Sequence, residues 1–255
     1  MSYLFTRLNF EIPFSGAEYL NESDVKKVIN QITPEEGFIN WFFGGSSASL
    51  VSSDKAHSLS EANSTLTKIY GDNYVELPAN SASLLNGLRT EYSDSVSQTM
   101  CAVIKFTGEP SQILLGSMNP TSGECIQMTS SAAISYSYRP SSGGGNIATS
   151  IPVPPGLTKG DNIFIAITRN GDDVIAFVGG AASKLHVSAP KSMAKSAKVG
   201  IGNCNFTSTA GFSKTMQCYE FLFLNGPVTD GKLSEVYANA RNRCSSREGA
   251  NKFLI

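Results

Sequence analysis

The chain is short of charge, of histidine and of tryptophan. Charged residues make up 16% of its 255 positions, and there are two histidines and one tryptophan. Lys and Arg number 20 and Asp and Glu 21, a formal net charge of −1. No run of five like charges occurs. Such a chain has no bulk attraction to polyanions, so nucleic acid is not an expected partner. No stretch approaches the roughly 20 apolar residues that span a bilayer, so membrane insertion is not expected either. The start Met1-Ser2-Tyr3-Leu4-Phe5-Thr6-Arg7 lacks the basic head and long apolar run of a secretory leader. The five cysteines, Cys101, Cys125, Cys204, Cys218 and Cys244, contain no Cys-x-x-Cys pair, which removes the usual zinc spacing. They are read as free thiols acting as small apolar residues of a chain made in a reducing cytoplasm.

Catalytic patterns are missing too. His57 and His186 lie in polar, loop-like surroundings, and no Gly-x-Ser-x-Gly elbow accompanies them. Gly143-Gly144-Gly145-Asn146-Ile147-Ala148 fits Gly-x-Gly-x-x-Ala, but it follows a Ser/Pro loop and opens no helix, so it is not read as a dinucleotide fingerprint. No Gly-Lys-Ser/Thr phosphate loop occurs.

What remains is a composition of 41% hydrophobic residues with many Ser, Thr, Asn and Gly, suited to short strands joined by polar turns. Runs of strand character cover Tyr74–Leu77, Thr99–Phe106, Gln112–Gly116, Ala133–Tyr138, Ile163–Thr168, Val174–Val178, Lys198–Gly202 and Met216–Leu224. Arg169-Asn170-Gly171-Asp172-Asp173 joins two of them, and Asn-Gly is a strong hairpin signal. In Met216–Leu224, Tyr219, Phe221 and Phe223 are expected on one face and Cys218, Leu222 and Leu224 on the other, broken by Glu220. Apolar residues on both faces imply a central strand. Helical patterning is confined to the ends. Val25, Val28, Ile29 and Ile32 form one stripe after a cap at Asn21. Leu233, Val236, Tyr237 and Ala240 form another over 230–241, after Thr229 or Asp230. The expected architecture is an antiparallel β-sandwich over residues 41–255, with its strands and closing helix within 41–243, behind a helical segment at 1–40. The terminal Phe253-Leu254-Ile255 is expected to dock.

Three blocks of sequence carry a family resemblance. Phe221-Leu222-Phe223-Leu224-Asn225 followed by Pro227-Val228-Thr229-Asp230-Gly231-Lys232-Leu233, the Asn162–Val178 hairpin, and the opening Trp41-Phe42-Phe43-Gly44-Gly45 with Tyr74-Val75-Glu76-Leu77 together resemble a concanavalin A-like, laminin-G-like domain, in that order over residues 40–243. The resemblance implies a jelly-roll sandwich of the kind found in tail fibres and other virion proteins of tailed phages. It implies a non-enzymatic part of a phage tail, synthesised in the host cytoplasm. Residues 1–40 would contact other virion proteins, and the sandwich would face host glycan or a neighbouring protein. A homo-oligomer, with a trimer favoured, follows by the same analogy.

Two sets of residues stand out as ligand contacts. Tyr136 and Tyr138 beside Arg139 share a face and could stack on a sugar; core packing accounts for them equally. Asn170, Asp172 and Asp173 could hold calcium, the one cofactor the resemblance admits, as hard oxygen donors at a rim; turn chemistry also accounts for them. Enzymes on this fold carry alternating carboxylates, Glu-x-Asp-x-Glu, on one strand face, and the chain has none. Glu220 is the acidic residue left in a strong strand, as a catalytic group of a polysaccharide-degrading enzyme or as a partnered carboxylate. A cell-surface adhesion domain is the third reading, and would require paired cysteines.

Overall fold

A computed structural model of the chain describes residues 32–79, 85–207 and 211–245. The chain divides into two units, Met1–Ile32 and Thr33–Ile255. The helix expected over 21–32 falls, but for Ile32, outside the described residues, and so does the terminal Phe253-Leu254-Ile255. The sandwich unit starts ahead of Trp41 because Glu35 and Phe38 are already buried in it.

Fifteen strands are described: β1 (Ile39–Phe42), β2 (Ser60–Glu61), β3 (Ile69–Tyr70), β4 (Val75–Leu77), β5 (Leu88–Ser93), β6 (Ser97–Lys105), β7 (Gln112–Gly116), β8 (Glu124–Met128), β9 (Ile134–Tyr138), β10 (Ile147–Ser150), β11 (Asn162–Asn170), β12 (Asp173–Val178), β13 (Leu185–Ser188), β14 (Lys198–Ile201) and β15 (Met216–Leu224). One helix, α1 (Asp230–Ser245), follows. The first sheet runs β13-β12-β11-β6-β15-β4-β3, with β1 also on β15; the second runs β10-β9-β8-β7-β14-β5-β2. The named pairings are antiparallel, from β1 on β15 to β8 on β9. The architecture is the antiparallel β-sandwich with a closing helix that the patterning predicts.

Period-two alternation explains which side chains meet. Ile163, Ile165 and Ile167 of β11 and Met100, Ala102 and Ile104 of β6 point between the sheets, toward Leu115, Ile126, Met128 and Ile134. Trp41 stacks on Phe221 in the same layer, their rings 5.4 Å apart. The intervening Cys101, Val103, Phe164 and Ala166 face outward, where Leu233, Val236, Ala240 and Cys244 of α1 cover them. The helix starts where Thr229 Oγ1 accepts the Lys232 N–H at 3.2 Å, so Thr229 is the cap.

β15 is central and covered on both faces, but its alternation is interrupted. The register with β6 shifts between Cys218 and Glu220. Cys218, Phe221 and Phe223 enter the inter-sheet core, whereas Tyr219 and Leu222 pack beneath the helix. Tyr219 therefore does not share a face with Phe221, and Cys218 does not share one with Leu222. One extra residue in the strand turns the side chains beyond it over.

Gly116 ends β7 with φ 141°, and a Cβ there would fall 2.6 Å from the Cα of Cys125 and closer still to the Glu124 carbonyl. Gly116→Ala is expected to cost ~2 kcal/mol or more, as strained backbone plus overlap. A urea midpoint within error of the wild type would show that β8 gives way.

Candidate functional site

Tyr136 and Tyr138 lie within the core, 0% and 6% exposed, with rings stacked 5.9 Å apart. Their faces are therefore closed to a sugar. The burial follows from their parity: Ile134, Tyr136 and Tyr138 alternate on the inner side of β9. Arg139 is half-buried, and its Nε is buried without a hydrogen-bond partner.

Tyr136 belongs instead to a closed network of charge between the sheets. Arg169 donates through Nε at 3.0 and 2.9 Å to the two Glu124 oxygens and through Nη2 at 2.8 Å to Oε2. Its Nη2 also meets Tyr136 Oη at 2.6 Å, and that hydroxyl donates to Glu124 Oε2 at 2.7 Å. Lys191 Nζ bridges Glu124 at 2.7 Å and Asp94 at 2.5 Å. Gln98 Nε2 donates to Glu124 at 2.9 Å and to Asp94 at 3.2 Å. Ser117 Oγ and the Ala194 N–H complete Asp94. Two carboxylates are balanced by two cations, and all four residues are buried. Burial works to raise the Glu124 pKa, but Lys191 and Arg169 overcome it and hold the carboxyl at about 2. The cluster has no opening for a substrate; it ties the sheets together.

Glu220 is likewise a partnered carboxylate. Arg243 of α1 donates to it through Nε at 3.2 Å and Nη2 at 3.1 Å, and through Nη1 to Glu35 at 3.2 Å. Glu35 also takes Lys232 at 3.1 Å.

The other sequence-selected set sits on an open surface. The β11–β12 hairpin closes through two residues, Gly171 and Asp172, between the paired Asn170 and Asp173. Gly171 has φ 62° at the first central position, where a II′ turn takes glycine. The strands thus run further toward the turn than the sequence suggests, and Arg169 is a strand residue.

Beside this hairpin lies a groove of ≈ 610 Å³. Thr168 and Asn170 of β11, Asp173 and Ile175 of β12, and His186 and Ser188 of β13 line it. They alternate with core-facing Ile167, Val174 and Val187, so they occupy the outer face of the first sheet. Pro227, Val228 and Thr229, just before α1, form the far wall. Ile175, Pro227 and Val228 supply apolar surface, with hydroxyl, amide, imidazole and carboxylate groups around it. His186 is thus an exposed strand residue, with Nε2 3.1 Å from Asp230. Asp230 also takes Lys184, whose hydrogen bond leads the groups that hold the carboxyl below its ordinary value.

Asn170 and Asp173 are brought together in this groove; Asp172, in the turn, is exposed and does not line it. Among the described residues no group of three or more His, Cys, Asp or Glu could hold a metal ion. All five cysteines are free and buried, and burial pushes the Cys204 thiol up to about 12.

No protein-family model matches the chain, and no curated protein sequence matches it significantly. Solved structures do resemble its fold. The receptor binding domain of botulinum neurotoxin D superposes with TM-score 0.54 at 11% identity, covering 79% of this chain and 52% of that one. The botulinum neurotoxin serotype G binding domain gives 0.53 at 10% identity, over 80% and 51%. The C/D mosaic serotype receptor binding domain gives 0.52 at 13%, over 78% and 50%. The chain spans about half the length of each. At such identities the likeness establishes a shared fold: this chain has the β-sandwich found in those receptor-binding domains.

Proposed function

We propose that the chain is a non-enzymatic binding domain that takes a saccharide in the groove beside the β11–β12 hairpin. The observation that carries this reading is the composition of the groove, an apolar floor ringed by Asn170, Asp173, His186, Ser188 and Thr229. Sugars are recognised by such a mixture of hydrogen-bonding groups around apolar surface. The fold supports it, since receptor-binding domains of neurotoxins are built on the same sandwich. The sequence resemblance extends the reading to a tail protein of a phage virion, with residues 1–40 contacting neighbouring virion proteins and the subunit assembled as a trimer.

The polysaccharide-degrading alternative has little to work with. Glycoside hydrolysis needs two carboxylates, one of them with a raised pKa. Asp173 is the only carboxylate among the groove-lining residues. Asp230, at the margin, is held low by Lys184. Glu124 and Glu220 are buried against arginine. An adhesion domain with paired cysteines is not supported either, since every thiol is free.

The test is a glycan array probed with the full chain, followed by calorimetry on the best sugar. Asn170→Ala with Asp173→Ala is expected to weaken binding about 10-fold or more, at ~1 kcal/mol per lost hydrogen bond. Both side chains are exposed, so the melting temperature should hold. No bound sugar, or binding indifferent to the pair, would remove the reading, and sugar release from a bound polysaccharide would reinstate the enzyme.

A further inference from the structure

A second cleft, of ≈ 400 Å³, lies at the other end of β11. Its wall includes Lys105, which pairs with Asn162 at the start of that strand, whereas the groove holds Asn170 at its finish. At ~3.3 Å per residue the two sites are about 26 Å apart.

Three lysines line this cleft, Lys105, Lys159 and Lys214, against two glutamates, Glu76 and Glu109. Lys159 Nζ meets Glu109 at 2.9 Å, with side chains 69% and 44% exposed, an ion pair of little strength. Glu76 is engaged by Gln217 Nε2 at 2.9 Å rather than by a lysine. Lys105 and Lys214 are half-buried, and neither ammonium has a hydrogen-bond or ion-pair partner among the described residues. Glu109 is held below its ordinary value first by the hydrogen bond and charge of Lys159, with Lys214 adding; one acid thus sits among more than one cation. Half-buried cations without partners in a concave, partly apolar site favour an anion.

We infer that this cleft binds an acidic saccharide, a sugar whose carboxylate is taken between Lys105 and Lys214. The exposed Ala79 and the aliphatic stems of the lysines supply apolar surface for the ring, with Phe106, 3% exposed, closed off behind them. The Thr215 hydroxyl, which accepts the Ala79 N–H at 3.2 Å, keeps its own hydrogen to donate to an alcohol of the sugar. A bare phosphate fits less well. The lining has no arginine fork, the geometry that favours bidentate capture of such an anion. The inference is independent of the groove, since it rests on different residues at the opposite end of the strand.

The experiment is nuclear magnetic resonance titration of the isotope-labelled full chain with three probes: a glucuronic-acid oligosaccharide, its neutral glucose counterpart and inorganic phosphate. The acidic oligosaccharide is expected to shift the amides of Lys105, Thr107 and Thr215. Its affinity should fall several-fold as salt is raised from low to physiological levels, through screening. The neutral sugar should leave those amides in place, and phosphate should move them only weakly. Lys105→Gln with Lys214→Gln should weaken the acidic sugar at least ~10-fold, and Asn170→Ala with Asp173→Ala should leave it unchanged. Absence of shifts, equal response to the neutral sugar, stronger binding of phosphate, or an unaffected double-lysine variant would each overturn the assignment. If the double variant does not fold, the wild-type shift map decides, and shifts confined to the groove count against the cleft.

Discussion

Arg169→Met is expected to lower stability by about 3–5 kcal/mol, because it strands a buried carboxylate. The guanidinium makes the bidentate contact to Glu124 and also caps the carbonyls of Gly171 and Ala189 at 2.7 and 3.0 Å. Removing it leaves Asp94 and Glu124 against Lys191 alone, one uncompensated negative charge in the core. Adding Glu124→Gln restores the balance, because Asp94 and Lys191 still pair. The double variant should therefore be more stable than Arg169→Met by itself. Urea unfolding of the two singles and the double measures this directly; strictly additive losses would show that charge balance is not what the cluster provides. The pH dependence follows from the same carboxyl. Its folded pKa lies at about 2, below its ordinary 4.5, so the unfolded chain binds the proton more readily. The stabilisation is complete above about pH 4.5 and is lost as pH falls toward 2. Glu124→Gln should flatten that part of the acid limb, and an unchanged limb would place the acid sensitivity elsewhere.

The strands were legible because alternation and turn residues report burial directly. Gln112–Gly116 and Met216–Leu224 have the limits observed. β1, β2, β3, β5, β8, β10 and β13 were not: β2, β3, β10 and β13 are edge pieces two to four residues long, whose pairing depends on distant partners, and polar residues in β5 (Arg89, Thr90, Glu91) and β8 (Glu124, Gln127) mask their burial. The charged cluster was within reach of the same rule and missed. Arg169 continues the face of Ile163, Ile165 and Ile167, Glu124 that of Ile126 and Met128, and Gln98 that of Met100, Ala102 and Ile104. A polar residue in register with an apolar face is either buried and paired or marks the end of the strand. Reading Arg169 as part of the turn selected the wrong branch. The groove was half legible: the hairpin residues stood out by turn chemistry, but β13 and the segment before α1 join them only through tertiary packing. The bulge in β15 leaves no local mark, so the facing of Tyr219 could not be read from alternation.

Arg243→Met should cost about 3 kcal/mol or more, and Glu220→Gln distinctly less. The asymmetry comes from how the charges are shared. Arg243 is the common partner of Glu220 and Glu35, residues far apart in sequence. Losing the arginine leaves two buried carboxylates with one fewer cation, whereas losing the Glu220 charge still leaves Arg243 paired with Glu35. Arg243→Lys should fall between them, since it keeps the charge but not the fork that spans both acids. The effect should be localised. Leu233, Val236 and Ala240 hold α1 over Phe164 and Ala166 by apolar contact, and among the described residues Arg243 alone spans both Glu220 of β15 and Glu35 of the incoming chain, where Lys232 and Asn239 also bind. Amide exchange in Arg243→Met is therefore expected to rise at the last turns of α1 and at residues 35–38, with β8 and β9 protected as before. Saccharide binding in the groove, at the opposite end of the helix, should persist. A variant within ~0.5 kcal/mol of wild type would mean that the apolar face alone seats the helix. Loss of sugar binding at unchanged stability would instead return Glu220 and its partners to the site of function.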